Sequence, residues 1–354
     1  MEIDAVYQQI GQSGPQQLKY GLVLCLLKAY HAFHILQFSF VGRPTSFHCG
    51  AGPHLPAMAD RCPGNTVTSC SNITFSQTSR TIVSEWGLVC DRNWLGKATM
   101  SALMLGFLLG ALVLGRLADM AGRKSALLYS LLGLIISNAA SALTTQFSLY
   151  LLARFAVGFC VAGNILAVVV LAAELVGPAY RGCYGLAVMG SFPVGLVLLS
   201  WLGFTLQHNW RHLSLAVSLL GLPFLLCQFY LVESPRWLLS RGQADAAEKV
   251  LQRIARGNGV EAARFTLAPM TVKGKQAAGR DGLTSLLQPG LFSLTVQLAL
   301  LGKFSIAAAF KVAYIILGEI FATSLRNSGV GSLKTVLQLM EKLLVEGAVS
   351  HGSV

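Results

Sequence analysis

The chain has 354 residues, of which 54% are hydrophobic and 12% are charged, and its mean hydropathy is +0.59. These values exclude an ordinary soluble globular protein and indicate a polytopic membrane protein. The formal net charge is +12, but the basic residues collect at the ends of apolar runs, so we expect no nucleic-acid partner.

Long apolar runs predict an all-α fold with seven membrane-spanning helices. Six of them precede residue 232, and one stands alone after it. The polar N-terminus, residues 1–19, has two acids and no small-residue cleavage site, so we expect the first span to act as its own insertion signal. The predicted spans are 20–41, 98–117, 125–144, 147–172, 184–206, 212–231 and 291–318.

The first span carries a polar stripe. Lys28, His31 and His34 are three residues apart and therefore share one helix face. They either line a central cavity, where they would meet substrate, or pack against polar neighbours. Phe192 in the fifth span is a candidate for an apolar cavity wall, although aromatic residues in spans also serve as packing residues. No further ligand has the spacing for a metal site.

The polar segment 42–97 between the first two spans has extracellular features. It contains an N-x-T glycosylation acceptor at Asn72. Its cysteines lack paired C-x-x-C spacing, so we expect disulfide bonds in an oxidising compartment rather than a zinc site. The pairing stays open. These disulfide candidates are Cys49, Cys62, Cys70 and Cys90.

The sequence GRLADMAGRK, which runs from Gly115 to Lys124, connects the second and third spans. Asp119 can accept hydrogen bonds from basic groups at neighbouring helix ends, and the two glycines, Gly115 and Gly122, allow close approach. Together with Arg123 and Lys124, these residues predict a salt-bridged latch at the membrane surface.

Basic residues predict which side of the membrane is cytoplasmic. Nine Lys or Arg lie between residues 233 and 285, whereas the connection between the third and fourth spans has none. By the positive-inside rule, the N-terminus, the GRLADMAGRK loop and the segment 233–290 are cytoplasmic. We therefore expect a multi-pass protein, in the plasma membrane.

Charged residues border the fourth span. Arg154 lies at its beginning, Glu174 at its end and Arg181 beyond it. Such charges are usually paired, so they are candidates for a gating network, and topological anchoring is the alternative for Arg181. The E-x6-R spacing of Glu174 and Arg181 recurs in Glu319 and Arg326, and each pair is predicted to lock a helix end.

These motifs resemble a known family. GRLADMAGRK resembles the loop between helices two and three of the major facilitator superfamily, with Met120 in place of the usual basic residue. The run EWGLVCD from Glu85 and the run VESPRWL from Val232 are similar to features of the organic ion transporter family of solute carriers, solute carrier family 22.

The resemblance implies a six-helix N-terminal bundle over 20–232 and transport of small organic cations, anions or zwitterions by alternating access. It adds Glu233, Arg236, Glu319 and Arg326 to the gating network. No Walker loop and no G-x-S-x-G elbow is present, so we expect no enzyme activity and no cofactor. The expected partners are the substrate, the lipid bilayer and, through an unpaired bundle, an oligomer.

The second part of the chain departs from the family pattern. Segment 233–290 is a predicted cytoplasmic loop with an amphipathic helix over 244–255. Segment 291–330 resembles only helix ten of a second bundle, with Lys311 as a candidate cavity residue, and 331–354 is a divergent tail. Helices seven to nine are not recognisable. The alternative function is therefore that of a non-transporting truncated isoform, or of a divergent membrane protein with a binding or regulatory role.

Overall fold

A computed structural model describes residues 3–50, 58–59, 72–75, 80–206 and 208–260. These residues belong to one compact unit, Met1–Met270. The predicted seventh span with Lys311, the pair Glu319 and Arg326, and the cysteines Cys62 and Cys70 lie outside the described residues.

Six helical segments of the described chain are long and apolar enough to cross a membrane, which confirms the first six predicted spans. The second begins earlier than predicted because its α-helix already includes residues 93–97, ahead of the continuous apolar run. The segments are Pro15–Val41, Cys90–Ala121, Arg123–Leu143, Phe147–Glu174, Pro178–Thr205 and Trp210–Tyr230.

The first, second, fifth and sixth segments combine shorter elements. Short 3-10 turns at Cys90–Arg92 and Pro178–Tyr180 precede the second and fifth helices. The α-helices are α1 (Ile3–Ile10), α2 (Pro15–Leu36), α3 (Phe38–Val41), α4 (Ile82–Trp86), α5 (Asn93–Ala121), α6 (Arg123–Leu143), α7 (Phe147–Glu174), α8 (Arg181–Thr205), α9 (Trp210–Leu219), α10 (Leu222–Tyr230), α11 (Pro235–Ser240) and α12 (Ala244–Gly257).

Helix α7 is central, because it packs against α5, α6, α2 and α8. Its contact with α5 is a backbone approach that only glycine permits. A Cβ atom on Gly158 of α7 would lie 2.0 Å from the Leu103 carbonyl oxygen, and one on Gly106 of α5 would lie 2.0 Å from the Phe155 carbonyl oxygen. Small residues bring membrane helices together in this way. Helix α8 approaches α2 similarly through Gly195.

The connection between α3 and α5 contains a small antiparallel sheet that the sequence analysis did not predict. Its strands are β1 (Phe47–Gly50), β2 (Met58–Ala59) and β3 (Asn72–Phe75), in the order β2-β1-β3. Strands of two to four residues are too short to show a period in the sequence. The fold is helical as predicted, and the sheet is an addition to it.

The segment predicted as an amphipathic surface helix forms α12. Its apolar residues Ala247, Leu251, Ile254 and Ala255 are buried, and the helix packs against α11 and α2. Asn258, just after α12, donates from Nδ2 to the Ile10 carbonyl (3.0 Å). The loop after the sixth span is therefore attached to the N-terminal segment.

Candidate functional site

The GRLADMAGRK turn is built around Gly122, which separates α5 from α6. Gly122 has φ +104°, a conformation that disfavours every residue with a side chain. A Cβ atom there would also lie 2.4 Å from Oε2 of Glu233. The glycine thus permits both the turn and the approach of a carboxylate from the end of the sixth span. Gly115, by contrast, has only ordinary contacts around it.

Arg123, the first residue of α6, joins three helices. Its Nη1 lies 3.0 Å from Oδ1 of Asp119 on α5 and donates to the Ala118 carbonyl (3.0 Å). Its Nε lies 3.2 Å from Oε2 of Glu174 at the end of α7. The Arg123 and Glu174 side chains are 15% and 19% exposed, whereas Asp119 is 72% exposed.

Glu233 fastens the same turn from the other side. Its carboxylate accepts hydrogen bonds from the backbone N–H groups of Arg123 (2.9 Å), Lys124 (3.1 Å) and Ser234 (3.0 Å). The first N–H groups of a helix have no partner within the helix, and an anion there is further favoured by the helix dipole. Among the described residues, the Lys124 side chain forms no ion pair; the residue contributes through its backbone.

Helix α11 covers the end of α5. Trp237 Nε1 donates to the Asp119 carbonyl (2.8 Å), and Arg241 Nη2 donates to the carbonyls of Asp119 and Met120 (both 2.8 Å). The Arg241 guanidinium also lies 5.6 Å from the centre of the Trp237 ring. These donors satisfy carbonyl groups that the last turn of a helix leaves free.

The N-terminal segment binds to the same end of the bundle. Asp4 forms ion pairs with Arg181 (2.8 Å) at the beginning of α8 and with Arg236 on α11. Tyr7 donates from its hydroxyl to the Glu174 carbonyl (3.1 Å). Burial raises the pKa of Tyr7 above its ordinary value, against the opposing effect of Arg236 and Arg181, so the hydroxyl stays protonated and donates.

We call this set of charged residues the latch: Asp4, Asp119, Arg123, Glu174, Arg181, Glu233 and Arg236. The predicted lock between Glu174 and Arg181 is wrong, because each binds a different partner. Helix α7 ends at Glu174 and the chain turns before Arg181, so the two residues do not share one helix.

Arg154 does not join the latch, contrary to the sequence-based expectation. It lies on α7 twenty residues before Glu174, which is about 30 Å along a helix. The side chain is 2% exposed and donates from Nη2 to the His34 carbonyl (3.3 Å). Within the described part of the chain it has no acidic partner.

The polar stripe of α2 is buried inside the bundle. Lys28 is 6% exposed, and His31 and His34 are fully buried. His31 Nε2 lies 2.7 Å from Oδ1 of Asn164 on α7, so this part of the stripe packs against a polar neighbour. The Nζ atom of Lys28 lies 5.9 Å from the centre of the Phe192 ring, so these two predicted cavity residues are neighbours.

A second polar cluster, which we call the clasp, lies at the opposite end of the bundle, near the sheet: Glu85, Trp86, Trp210 and Arg211. Trp210 Nε1 donates to Oε2 of Glu85 (2.7 Å), and Arg211 forms an ion pair with the same carboxylate. Arg211 also donates to the carbonyls of Ala142 and Thr144. Beside the Glu85–Arg211 ion pair, the rings of Trp86 (α4), Phe147 and Tyr150 (α7) and Trp210 (α9) contact one another in tilted or edge-on arrangements.

Two of the four disulfide candidates, Cys49 and Cys90, lie among the described residues. Cys49 on β1 and Cys90 before α5 are disulfide-bonded, and both belong to a small apolar cluster with Phe47 and Val89. Asn72, the predicted glycosylation site, begins β3 opposite Gly50. Among the described residues, no group of three His, Cys, Asp or Glu is placed to hold a metal ion.

Comparison with known proteins identifies the family. Residues 64–288 match the family described as "Sugar (and other) transporter". The chain belongs to this transporter family. The chain is 31% identical over 295 residues to the organic cation transporter protein of Drosophila melanogaster, covering 74% of this chain and 54% of that protein. It is 30% identical over 285 residues to organic anion transporter 3 of Oryctolagus cuniculus, covering 73% and 52%.

A solved structure shares the fold. The chain superposes on the proton:xylose symporter XylE of E. coli, a major facilitator superfamily protein, with a TM-score of 0.55 and 16% identity, covering 93% of this chain and 68% of that one. The predicted major facilitator fold is thereby confirmed. The chain spans about half the length of the curated relatives that it matches.

The sequence analysis missed Asp4, Arg241 and the clasp residues as functional candidates. Glu85 begins the family-like run EWGLVCD, but 126 residues separate it from Arg211, so no local spacing reveals their pairing. Arg241 follows Trp237 by four residues, which places both on one helix face. That spacing is the one local signal that could have predicted a shared contact of Trp237 and Arg241 with the end of α5.

Proposed function

We propose that the protein moves small organic ions across a membrane by alternating access. The observation that carries the proposal is the latch: partly exposed ion pairs connect the N-terminal segment, α5, α6, α7, α8 and α11 at one end of a six-span bundle. Such pairs are individually weak and exchange readily with water. They suit a contact that forms in one state and breaks in another.

We also propose how the bundle is oriented in the membrane, from the residues at its latch end and its sheet end. We place the N-terminus and the latch in the cytoplasm and the sheet outside the plasma membrane. The basic residues support this placement, and the disulfide-bonded Cys49 and Cys90 fit an oxidising compartment. Glycosylation at Asn72 would agree with it. Glycosidase treatment of surface-labelled protein, with Asn72→Gln as the control, tests the placement.

The substrate class is a small organic ion. Relatives described as organic cation and organic anion transporters both match this chain, so both charges belong to the test. We propose Lys28 and Phe192 as cavity residues together with Lys311, and Glu319 and Arg326 as further gating residues. Neither a cofactor nor covalent chemistry is needed for this function, and a second copy of the chain is a proposed partner.

Uptake measurements test the function. Cells that express the full chain are offered radiolabelled organic cations and anions, and surface biotinylation quantifies the protein at the cell surface. We expect saturable uptake of at least one class above that of untransfected cells. Protein that reaches the surface and moves neither class would overturn the proposal and favour the non-transporting alternative.

A further inference from the structure

A cavity of about 180 Å³ lies at the sheet end of the bundle, and its lining includes no residue of the latch or of the polar stripe. Trp210 and Leu213 of α9 are buried and line its inner side. Phe40 of α3 and Phe204 of α8 line it as well. None of the site residues predicted from the sequence contributes to it, and the proposed transport mechanism does not use it.

Two arginines give this cavity its charge. Arg43 and Arg80 both line it and are exposed to solvent. No Asp or Glu is among its lining residues, and among the described residues neither arginine forms an ion pair. The cavity therefore combines apolar walls with two uncompensated guanidinium groups.

The backbone around the two arginines is held in place. The Arg80 N–H donates to the His208 carbonyl (2.9 Å), and the Arg80 carbonyl accepts from the Trp210 N–H (3.1 Å). The hydroxyl groups of Thr45 and Thr81, each close in sequence to one arginine, lie 2.8 Å apart. The two segments that carry the guanidinium groups are thus fixed to each other and to α9 before any ligand arrives, which lowers the entropic cost of binding.

The inner wall is fixed as well. Trp210 is 2% exposed, and its indole N–H donates to Glu85 of the clasp (2.7 Å). A Cβ atom on Gly203 would lie 2.6 Å from the Phe40 ring, so this glycine allows the ring to lie against α8. The aromatic walls are consequently positioned by the same contacts that hold the sheet end together.

We propose that this cavity is a binding site for a small organic anion, a carboxylate or sulfonate attached to one apolar ring. Guanidinium groups bind planar anions through paired, charge-assisted hydrogen bonds. The ring would lie against Phe40 and Trp210, where stacking is favourable. A volume of about 180 Å³ is below the roughly 300 Å³ of sites for drug-sized molecules, so the ligand has a single ring.

The site differs from the proposed transport site in its residues, because its lining includes none of the latch residues and none of the proposed cavity residues Lys28 and Phe192. A transport cavity for organic ions would also bind such probes, so only the binding that Arg43→Gln and Arg80→Gln remove is assigned to this site. Anionic lipid headgroups share the anion chemistry but lack the ring, so the assay uses nanodiscs of zwitterionic phosphatidylcholine and adds phosphatidylglycerol only in a separate arm. A free ring-bearing anion should bind in both arms.

Ligand-observed saturation-transfer NMR on the purified full chain tests the proposal, with benzoate as the probe. Benzamide, benzylammonium and acetate are matched probes that remove the charge, reverse it or remove the ring. We expect saturable binding of benzoate that depends on Arg43 and Arg80, and at least about tenfold weaker arginine-dependent binding of the other three probes. Equal arginine-dependent binding of benzylammonium or acetate would overturn the proposal, as would the absence of saturable benzoate binding.

Substitutions locate the site. Arg43→Gln and Arg80→Gln should each weaken benzoate binding at this cavity by at least about fivefold, and the double variant should remove that binding while leaving any benzoate bound at the transport cavity. Lys97→Gln, which removes an exposed cation at the same end of the bundle, should leave binding unchanged. Arg43→Gln carries the test alone if the Arg80 variant does not fold, because Arg43 is exposed and its side chain makes no described contact. Wild-type affinity in Arg43→Gln would contradict the assignment.

Discussion

The two ends of the bundle use charge differently. At the latch end, several carboxylates and guanidinium groups connect six segments through partly exposed pairs, with Asp119 72% exposed. At the sheet end, one carboxylate, Glu85, binds Arg211 and the buried Trp210 beside several aromatic rings. The Glu85 and Arg211 side chains are 31% and 24% exposed, so the two ends differ in the aromatic rings around the pair and not in its exposure to solvent. Several ion pairs in series can separate one at a time, whereas the Glu85–Arg211 pair separates only if the rings around it move. We infer that the latch end opens more readily than the sheet end.

The largest expected effect comes from breaking the α5–α7 contact that runs between the two ends. Gly158→Ala would place a methyl group 2.0 Å from the Leu103 carbonyl oxygen and force the helices apart. We expect a loss of about 3 kcal/mol or more, seen as a lower melting temperature and a loss of the monodisperse peak in detergent. Gly185→Ala on α8, where nothing lies within 4 Å of the new methyl group, is the control and should behave as wild type.

Glu85→Gln tests the sheet end and should have the next largest effect. The change removes the negative charge between Arg211 and the buried Trp210 and leaves a guanidinium group without an acidic partner. We expect a loss of about 1–3 kcal/mol, measured as a lower melting temperature. Glu248→Gln on α12 is the matched control, because its amide oxygen can still accept from Gln252. Equal melting temperatures for the two variants would show that the clasp is not packed as described.

Glu233→Gln tests the latch end and should cost less stability. The amide oxygen still accepts backbone hydrogen bonds from Arg123 and Lys124, but the charge at the N-terminus of α6 is lost. We expect a loss of about 1 kcal/mol or less. Uptake per surface molecule should nevertheless fall clearly while the melting temperature changes little, because the proposed transport cycle forms the latch in one state and breaks it in another. If Glu233→Gln lowers the melting temperature as much as Glu85→Gln does, the two ends do not differ in the way proposed.

Asp119→Asn should have the smallest effect on stability. The side chain is largely exposed and pairs with Arg123 four residues along the chain, and such pairs contribute about 0.5 kcal/mol or less. Its backbone carbonyl, which accepts from Trp237 and Arg241, is unchanged. A drop in melting temperature as large as that of Glu85→Gln would show that this exposed latch pair stabilises the protein as much as the clasp does, contrary to the proposed difference between the two ends.

The six spans could be predicted because long apolar runs specify membrane helices by composition alone. The latch could be predicted in part: Asp119, Arg123 and Glu174 stand at helix ends, but the choice of partner depends on the turn after α7, which separates Glu174 from Arg181. The surroundings of Arg154 could not be predicted, because its contact with the His34 carbonyl depends on how α7 packs against α2. The sheet and the clasp depend on short strands and on a pair far apart in the chain, and neither leaves a local pattern.

Hydrogen exchange, resolved to single amides in the purified full chain, tests the difference between the two ends most directly. The latch amides are those of Arg123, Lys124 and Ser234, which bind Glu233, and the sheet-end amides are those of Arg80 and Trp210. We predict that the latch amides exchange at least about tenfold faster, after correction for intrinsic rates, because that end opens without unfolding the bundle. Latch amides that exchange as slowly as Arg80 and Trp210, or more slowly, would contradict the account.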